Sequence, residues 1–283
     1  MDALAKRATR FTNAFCTTPS CVASRANILT DHYSHTHSHS IHNFHTGNHT
    51  PSIVKALSGE GYAAGIIGKM HVQPEAAYPW THNMVAVKGS SRSPQGMADR
   101  THEFFTDIGD VIFYLHMGFS DPHRDFGNSQ NYVDYTETKY GTEDVPVPNF
   151  LPDHLDVRAE LAEYYQLITR MDAGFGRAVE VLEEAGRAED TMIIVMSDHG
   201  TPFTGAKASS FNSGHNCPLL IARPGASEVE SDALVNWNSI APTVYDWCGV
   251  DSPDGLPEKS LLPILDDSHP EGWDEVIFSR TFH

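Results

Sequence analysis

The stretch Gly61-Tyr62-Ala63-Ala64-Gly65-Ile66-Ile67-Gly68-Lys69-Met70-His71-Val72 decides the fold. Its apolar run from Ala63 to Ile67 predicts a short buried strand, and alternation along a strand sends Lys69 and His71, at the carboxyl end, to one side. Two further stretches repeat the arrangement. Val111-Ile112-Phe113-Tyr114-Leu115-His116-Met117 predicts a strand that runs into Phe119-Ser120-Asp121-Pro122-His123-Arg124, and Thr191-Met192-Ile193-Ile194-Val195-Met196 predicts another that ends in Ser197-Asp198-His199-Gly200. Strands separated by helical stretches argue for an α/β layer architecture with a mainly parallel sheet. Open sheets of that class bind ligands in the crevice beyond the carboxyl ends of their strands. Taken singly, each turn is better explained by solvated Lys, Asp or His side chains after a buried strand.

Helices frame these strands. The run Ser24-Arg25-Ala26-Asn27-Ile28-Leu29 predicts a helix with Cys21 at its N-terminus, where unpaired N–H groups and the macrodipole favour an anion. Arg25, one turn on, faces the same way. The longest helix is expected from about Asp156 to Ala185, with Leu161, Tyr164, Tyr165, Ile168 and Met171 at spacings of three and four and Gly186 as its stop. A second is expected from Asp232 to Trp247, carrying Leu234, Trp237, Ile240, Val244 and Trp247. Both are packing elements. Residues 1–10, MDALAKRATR, read as an amphipathic helix; they hold three basic side chains but no apolar stretch of the kind a secretion signal has. Glu143 to Asp153, punctuated by Pro146, Pro148 and Pro152, predicts an extended loop.

At 283 residues and 40% hydrophobic, the chain is long enough for one large domain, expected to span residues 1–283. No apolar run approaches the roughly eighteen residues of a membrane span. With 37 acidic against 19 basic residues the formal net charge is −18, which excludes nucleic acid and anionic membranes as expected partners. An anionic substrate would need a pocket of opposite sign, for which Arg25, Lys69, Lys207, His71, His123 and a bound metal are the available positive groups. Of the four cysteines (Cys16, Cys21, Cys217 and Cys248) no two form a C-x-x-C pair. Between Asp31 and Thr50 lie His32, His35, His37, His39, His42, His45 and His49; their spacing matches no zinc pattern, leaving a substrate-facing loop, a metal site or a solvated surface.

These segments, together with Cys21-Val22-Ala23-Ser24-Arg25, resemble the sulfatase family. The pentapeptide is similar to C-x-(P/A)-x-R, Gly61 to His71 to G-Y-x-x-x-x-x-G-K-x-H, Asp121 to Arg124 to D-P-H-R, and Ser197 to Gly200 to S-D-(N/H)-G. The resemblance runs from Phe11 to His283 and leans toward the sulfamidase (N-sulfoglucosamine sulfohydrolase) branch through Gly65 to Glu75, Tyr78-Pro79, Arg170 to Gly174 and Thr281 to His283. It implies an alkaline phosphatase-like three-layer α/β/α sandwich. It implies that Cys21 is oxidised to formylglycine by a formylglycine-generating enzyme, with a hydrated aldehyde as nucleophile toward a sulfate ester or sulfamate of a small molecule or saccharide. Arg25, Lys69, His71, His123 and Lys207 are then catalytic, His123 protonating the leaving group. Asp198, His199 and residue 21 are then metal ligands for Ca2+, or Mg2+ as the alternative. Hard cations prefer oxygen, so the histidine leaves the metal's identity open. The family further suggests an exported, periplasmic or lysosomal protein.

The chain departs from the family in three ways. Asp31 stands where Gly usually follows I-L-T. The upstream apolar strand ending in two aspartates is absent before MDALAKRATR, and the smaller C-terminal subdomain is absent after His283, so the expectation is a fragment. Two other functions stay open beside a sulfohydrolase: a phosphate or phosphonate ester hydrolase using a similar pocket, and a catalytically inactive remnant that only binds sulfated sugar or metal.

Overall fold

The computed structural model describes residues 1–36, 46–85, 90–126 and 138–280. In chain order the elements are α1 (Asp2–Ala5), β1 (Ala8–Phe15), α2 (Cys21–Thr30), α3 (Ile53–Gly59), β2 (Ala63–Gly68), β3 (His82–Met84), α4 (Pro94–Ile108) and β4 (Phe113–Gly118). They continue with α5 (Leu155–Glu184), β5 (Ile193–Met196), α6 (Asn212–His215), β6 (Leu219–Ala222), β7 (Val229–Asn236) and α7 (Ile240–Cys248). Backbone proximity divides the chain into two compact units, one formed by Met1, Ala63–Met70 and Thr81–Ala188, the other by Asp2–Tyr62, His71–Trp80 and Glu189–His283. Among the described residues no helix is long and apolar enough to cross a membrane.

The unit holding β2 contains a three-stranded parallel sheet in the order β3-β2-β4, with Ala63 opposite Phe113 and Gly68 opposite Gly118. Every residue of β2 is buried. Gly65 is needed there because a Cβ would stand 2.5 Å from the Phe104 ring of α4. Helix α4 starts where Ser93 accepts the Gly96 N–H at 3.0 Å and Pro94 takes the first turn, and it buries Met97, Thr101, Phe104, Phe105 and Ile108. Helix α5 occupies almost the expected bounds. Its buried stripe is Leu161, Ala162, Leu167, Arg170, Gly174, Ala178 and Leu182, whereas the anticipated Ile168 and Met171 are only half-buried. An arginine sits in that stripe because Asp121 awaits it. The strand predicted from Val111 begins instead at Phe113, leaving Val111 and Ile112 exposed at 46% and 50%.

The other unit contains a four-stranded mixed sheet, β5-β6-β1-β7, in which β1 runs parallel to β7 and antiparallel to β6, and β5 antiparallel to β6. Across both sheets three of five pairings are parallel. Two expectations give way here. The N-terminal helix covers only Asp2–Ala5, because Ala8-Thr9-Arg10-Phe11-Thr12-Asn13-Ala14-Phe15 forms an interior strand that buries Ala8, Phe11, Ala14 and Phe15. The helix expected from Asp232 is a strand through Asn236, burying Ser231, Ala233 and Val235 with a period of two, and α7 begins only at Ile240. The stretch between Glu143 and Asp153 forms no helix or strand, as its prolines require.

Helix α2 ends at Asp31, which takes the left-handed conformation at φ 49° and donates its N–H to the Asn27 carbonyl at 2.9 Å. Its carboxyl group is fully buried, and neither oxygen has a hydrogen-bond partner among the described residues. Burial, reinforced by the Glu258 charge and only partly offset by the nearby Glu258 amide, lifts the Asp31 pKa from 3.8 to about 9. Of the histidine-rich tract, His37, His39, His42 and His45 fall outside the described residues, as does Thr281 to His283.

Candidate active site

Cys21 is the first residue of α2, preceded by Ser20 in an extended conformation, so its side chain stands where the helix presents unpaired N–H groups. The thiol is 3% exposed. Lys207 Nζ lies 3.3 Å from its sulfur and His199 Nε2 3.1 Å from it. His199 donates from Nδ1 to the Gly200 carbonyl at 2.8 Å, since a carbonyl can only accept; this fixes the tautomer and turns the Nε2 lone pair toward Cys21. Asp198 Oδ1 is 3.6 Å from the same nitrogen, while Arg25 Nε donates to Asp198 Oδ2 at 2.9 Å. Cys21, Asp198 and His199 offer one ligand atom each within 4.8 Å of one another, the arrangement of a metal-binding group.

The turn that carries Asp198 and His199 leaves β5 and is held from three sides. Trp237, fully buried, donates its indole N–H to the Ser197 carbonyl at 2.9 Å and to that of Asp198 at 3.3 Å. Ser24 Oγ donates to the Asp198 carbonyl, and Ser197 Oγ to that of His199 at 2.7 Å. Gly200 can be nothing larger, because a Cβ would lie 2.0 Å from the Ser213 carbonyl oxygen. Lys207 is set by its own N–H bond to Thr201 O at 3.1 Å and by the next residue, whose N–H reaches Pro19 O at 2.8 Å just before α2. Burial works against charging His199, but Asp198 and Cys21 outweigh both it and the repulsion from Lys207, and the pKa rises above 6.5.

The donor set suits a divalent cation: one carboxylate oxygen, one imidazole nitrogen with its tautomer preset, and residue 21, whose sulfur marks where a formylglycine oxygen would lie. His71 belongs to the same unit, is exposed, and has a positive φ of 58°.

Lys69 and His123 belong to the other unit, beyond the carboxyl ends of the paired strands β2 and β4. Lys69 donates its N–H to Gly118 O at 2.7 Å. His123 donates from Nδ1 to the Arg124 carbonyl, and its Nε2 has no partner among the described residues. Asp121 is more deeply buried than Asp198, whose side chain is 17% exposed. The Asp121 side chain is 1% exposed, and it accepts from Arg170 Nε at 2.6 Å, Arg170 Nη2 at 2.9 Å and Arg92 Nη1 at 2.5 Å. Of the supporting residues, Arg92 carried no signal in the sequence; Ser24 and Trp237 were legible only as helix and packing residues, and Arg170 only within the tract resembling the sulfamidase branch.

The sulfatase family model matches residues 1–250. The human N-sulphoglucosamine sulphohydrolase is 32% identical over all of this chain, which spans 64% of that protein's length. A solved structure described as a complex with its substrate D-glucosamine-2-N,6-O-disulfate superposes with a TM-score of 0.80 at 18% identity, covering 100% of this chain and 78% of that one. The phosphonate monoester hydrolase of Agrobacterium radiobacter superposes with a TM-score of 0.77 at 19% identity, covering 98% and 73%. With three of five strand pairings parallel and this match along nearly its whole length, the chain has the alkaline phosphatase-like α/β fold and belongs to the sulfatase family.

Proposed function

We propose that residues 1–283 act as one catalytic domain of a sulfohydrolase that removes sulfate from O- or N-sulfated saccharide, with residue 21 matured to formylglycine by a formylglycine-generating enzyme. The observation that carries this reading is the convergence of Lys207, His199, Asp198 and Arg25 on the helix N-terminus occupied by Cys21. An ordinary buried cysteine needs no lysine ammonium at 3.3 Å and no tautomer-fixed imidazole at 3.1 Å. Hydrated formylglycine supplies one hydroxyl to attack sulfur and a second whose deprotonation expels sulfate. A divalent ion, Ca2+ or else Mg2+, would supply Lewis-acid charge for this chemistry.

The chain's own residues carry the rest. Asp198 and His199 would hold the ion, and Arg25 sets the carboxylate by its bond to Oδ2. Lys207 and the first N–H groups of α2 give the local positive field that a chain of net charge −18 otherwise lacks. Lys69 and His71 are proposed to add to that field. His123, with Nδ1 engaged on a carbonyl, presents Nε2 as the nitrogen that carries a transferable proton, which fits it to protonate a poor leaving group. The human relative's name supports an N-sulfated glucosamine as substrate, and the disulfated glucosamine in the solved complex supports the same class.

A phosphonate or phosphate ester is the second reading, favoured by the superposition on a phosphonate monoester hydrolase. Co-expression with a maturing enzyme followed by parallel assays on N-sulfoglucosamine, an O-sulfated sugar and a phosphonate monoester tests both. Sulfate release exceeding phosphonate turnover supports a sulfohydrolase; the reverse order replaces it with the second reading; neither, from protein with residue 21 converted, supports a remnant that only binds.

A further inference from the structure

We infer that Asp121, Arg170 and Arg92 form a buried positioning clamp for His123, so that the proton-donating power proposed for this histidine depends on an ion-pair network that touches no substrate. The inference rests on the proposed role of His123, and its test separates the two.

The geometry has a direction. Helix α5 lends Arg170, whose side chain is 3% exposed and grips Asp121 in the forked, two-bond manner that fixes a carboxylate in a plane. Arg92, from a short helical turn ahead of α4, spans two groups at once. Its Nη1 reaches Asp121 Oδ1 at 2.5 Å and its Nη2 the backbone carbonyl of His123 at 3.0 Å. A single guanidinium therefore ties the buried carboxylate to the peptide that carries the imidazole. Ser120 N–H bonds Ser91 O at 3.1 Å, the two serine hydroxyls are 2.7 Å apart, and His123 N–H bonds Ser120 O at 2.8 Å. Gly174, one turn beyond Arg170, lets α5 come this near, since a Cβ there would lie 2.9 Å from Phe119 Cε1 and 3.2 Å from Pro94 Cα.

A fold needing only stability at this turn would be served as well by apolar side chains, because a buried ion pair often gains nothing over them. What the pair supplies is orientation. With the backbone of residues 121 to 123 fixed, the Nδ1–H stays on the Arg124 carbonyl and the proton to be transferred stays on Nε2. Arg124 itself pairs with Glu160 of α5 at 2.6 Å and 3.1 Å, but with both side chains over 40% exposed at 43% and 48%; that pair is screened and holds little.

The test uses the full chain, ¹⁵N-labelled at histidine, with the His123 signals identified by their loss in His123→Gln. In the unaltered protein the ring gives the pattern of one Nδ1–H tautomer at alkaline pH; in Asp121→Asn, Arg170→Lys and Arg92→Lys it averages toward two. Arg92→Lys, at a side chain 15% exposed, keeps the fold should the buried variants lose it. Turnover is then read on aryl sulfates of graded leaving-group basicity. The clamp variants lose on the order of tenfold or more with the most basic leaving group and almost nothing with the most activated, the signature of a misplaced acid. Glu160→Gln stays within about twofold throughout. An unchanged tautomer pattern in all three variants, or losses equal across leaving groups, overturns the clamp. Absence of sulfate turnover in the unaltered, converted protein would instead defeat the sulfohydrolase reading, and the tautomer pattern would still decide the clamp.

Discussion

Two turns leave the carboxyl ends of two strands with nearly the same residues, Ser197-Asp198-His199 after β5 and Ser120-Asp121-Pro122-His123 after β4, and they put those residues to opposite use. After β5 the aspartate side chain is 17% exposed, its Oδ2 accepting from Arg25 and its Oδ1 turned toward His199 and Cys21. After β4 the aspartate is 1% exposed and both oxygens are taken by guanidinium groups. The first carboxylate belongs to the group that could hold a metal ion; the second is an anchor. The histidines differ in parallel. His199 is buried with its lone pair aimed inward, and His123 is exposed with a proton position to offer. Identical side chains acquire a function from the cations that reach them first.

The largest effect belongs at the centre of the β5 side: Cys21→Ala should remove sulfate release altogether while shifting the thermal midpoint little, because the substitution deletes one small buried atom. A shift as large as a core truncation would make Cys21 a packing residue. Next is His123→Ala, which should cost about a hundred- to ten-thousandfold with a poor leaving group and almost nothing with an activated aryl sulfate, measured as kcat across the series. Equal loss on both would assign His123 to binding.

On stability, Asp121→Ala should be the more damaging of the two aspartate truncations, by about 3–5 kcal/mol in denaturant unfolding, since it strands Arg170 in the interior. Asp198→Ala should cost less in the metal-free protein and abolish the gain in midpoint on adding Ca2+. If Asp198→Ala proved the costlier without metal, the division between ligand and anchor would be wrong.

A separate effect, read as a slope against pH, concerns a third aspartate, which neither turn uses. Asp31 keeps its proton when folded up to about pH 9 but loses it near its ordinary value of 3.8 when unfolded. Below that lower value both states are protonated and the residue adds no pH dependence. Between the two values the folded chain binds the extra proton, so stability falls as pH rises, and the loss levels off above about 9. Asp31→Asn should flatten this slope, its midpoint gaining on the parent steadily from pH 4 to pH 9. Parallel curves would show that the carboxylate finds a partner in solution.

Much of this was legible in the sequence because strand-then-turn is a local signal. The strands at Ala63 and Ile193, the 30-residue α5 and the start of α2 at Cys21 lie within a residue or two of expectation. Strand β1 was not, since Met1 to Arg10 has helix-compatible spacing and only its place between β6 and β7 makes Ala8–Phe15 extended. Strand β7 was hidden by Leu234 and Trp237, whose spacing of three continues into the true helix at Ile240. Cys21, Arg25, Asp198 and His199, which the structure brings together, lay inside motifs; the contacts that Arg92, Ser24 and Trp237 make were not legible, because they reach their partners from distant parts of the chain. Asp121 lay inside a motif, yet its use as an anchor appears only once Arg170 is seen beside it.

The central claim is that Cys21 is the seat of the nucleophile, and mass spectrometry of the peptide containing it, from protein made alongside a formylglycine-generating enzyme and shown to release sulfate, tests this most directly. Conversion of the thiol to an aldehyde lowers the peptide mass by about 18 daltons, and the account predicts that shift in the active fraction. Unmodified cysteine at position 21 in fully active protein would contradict it.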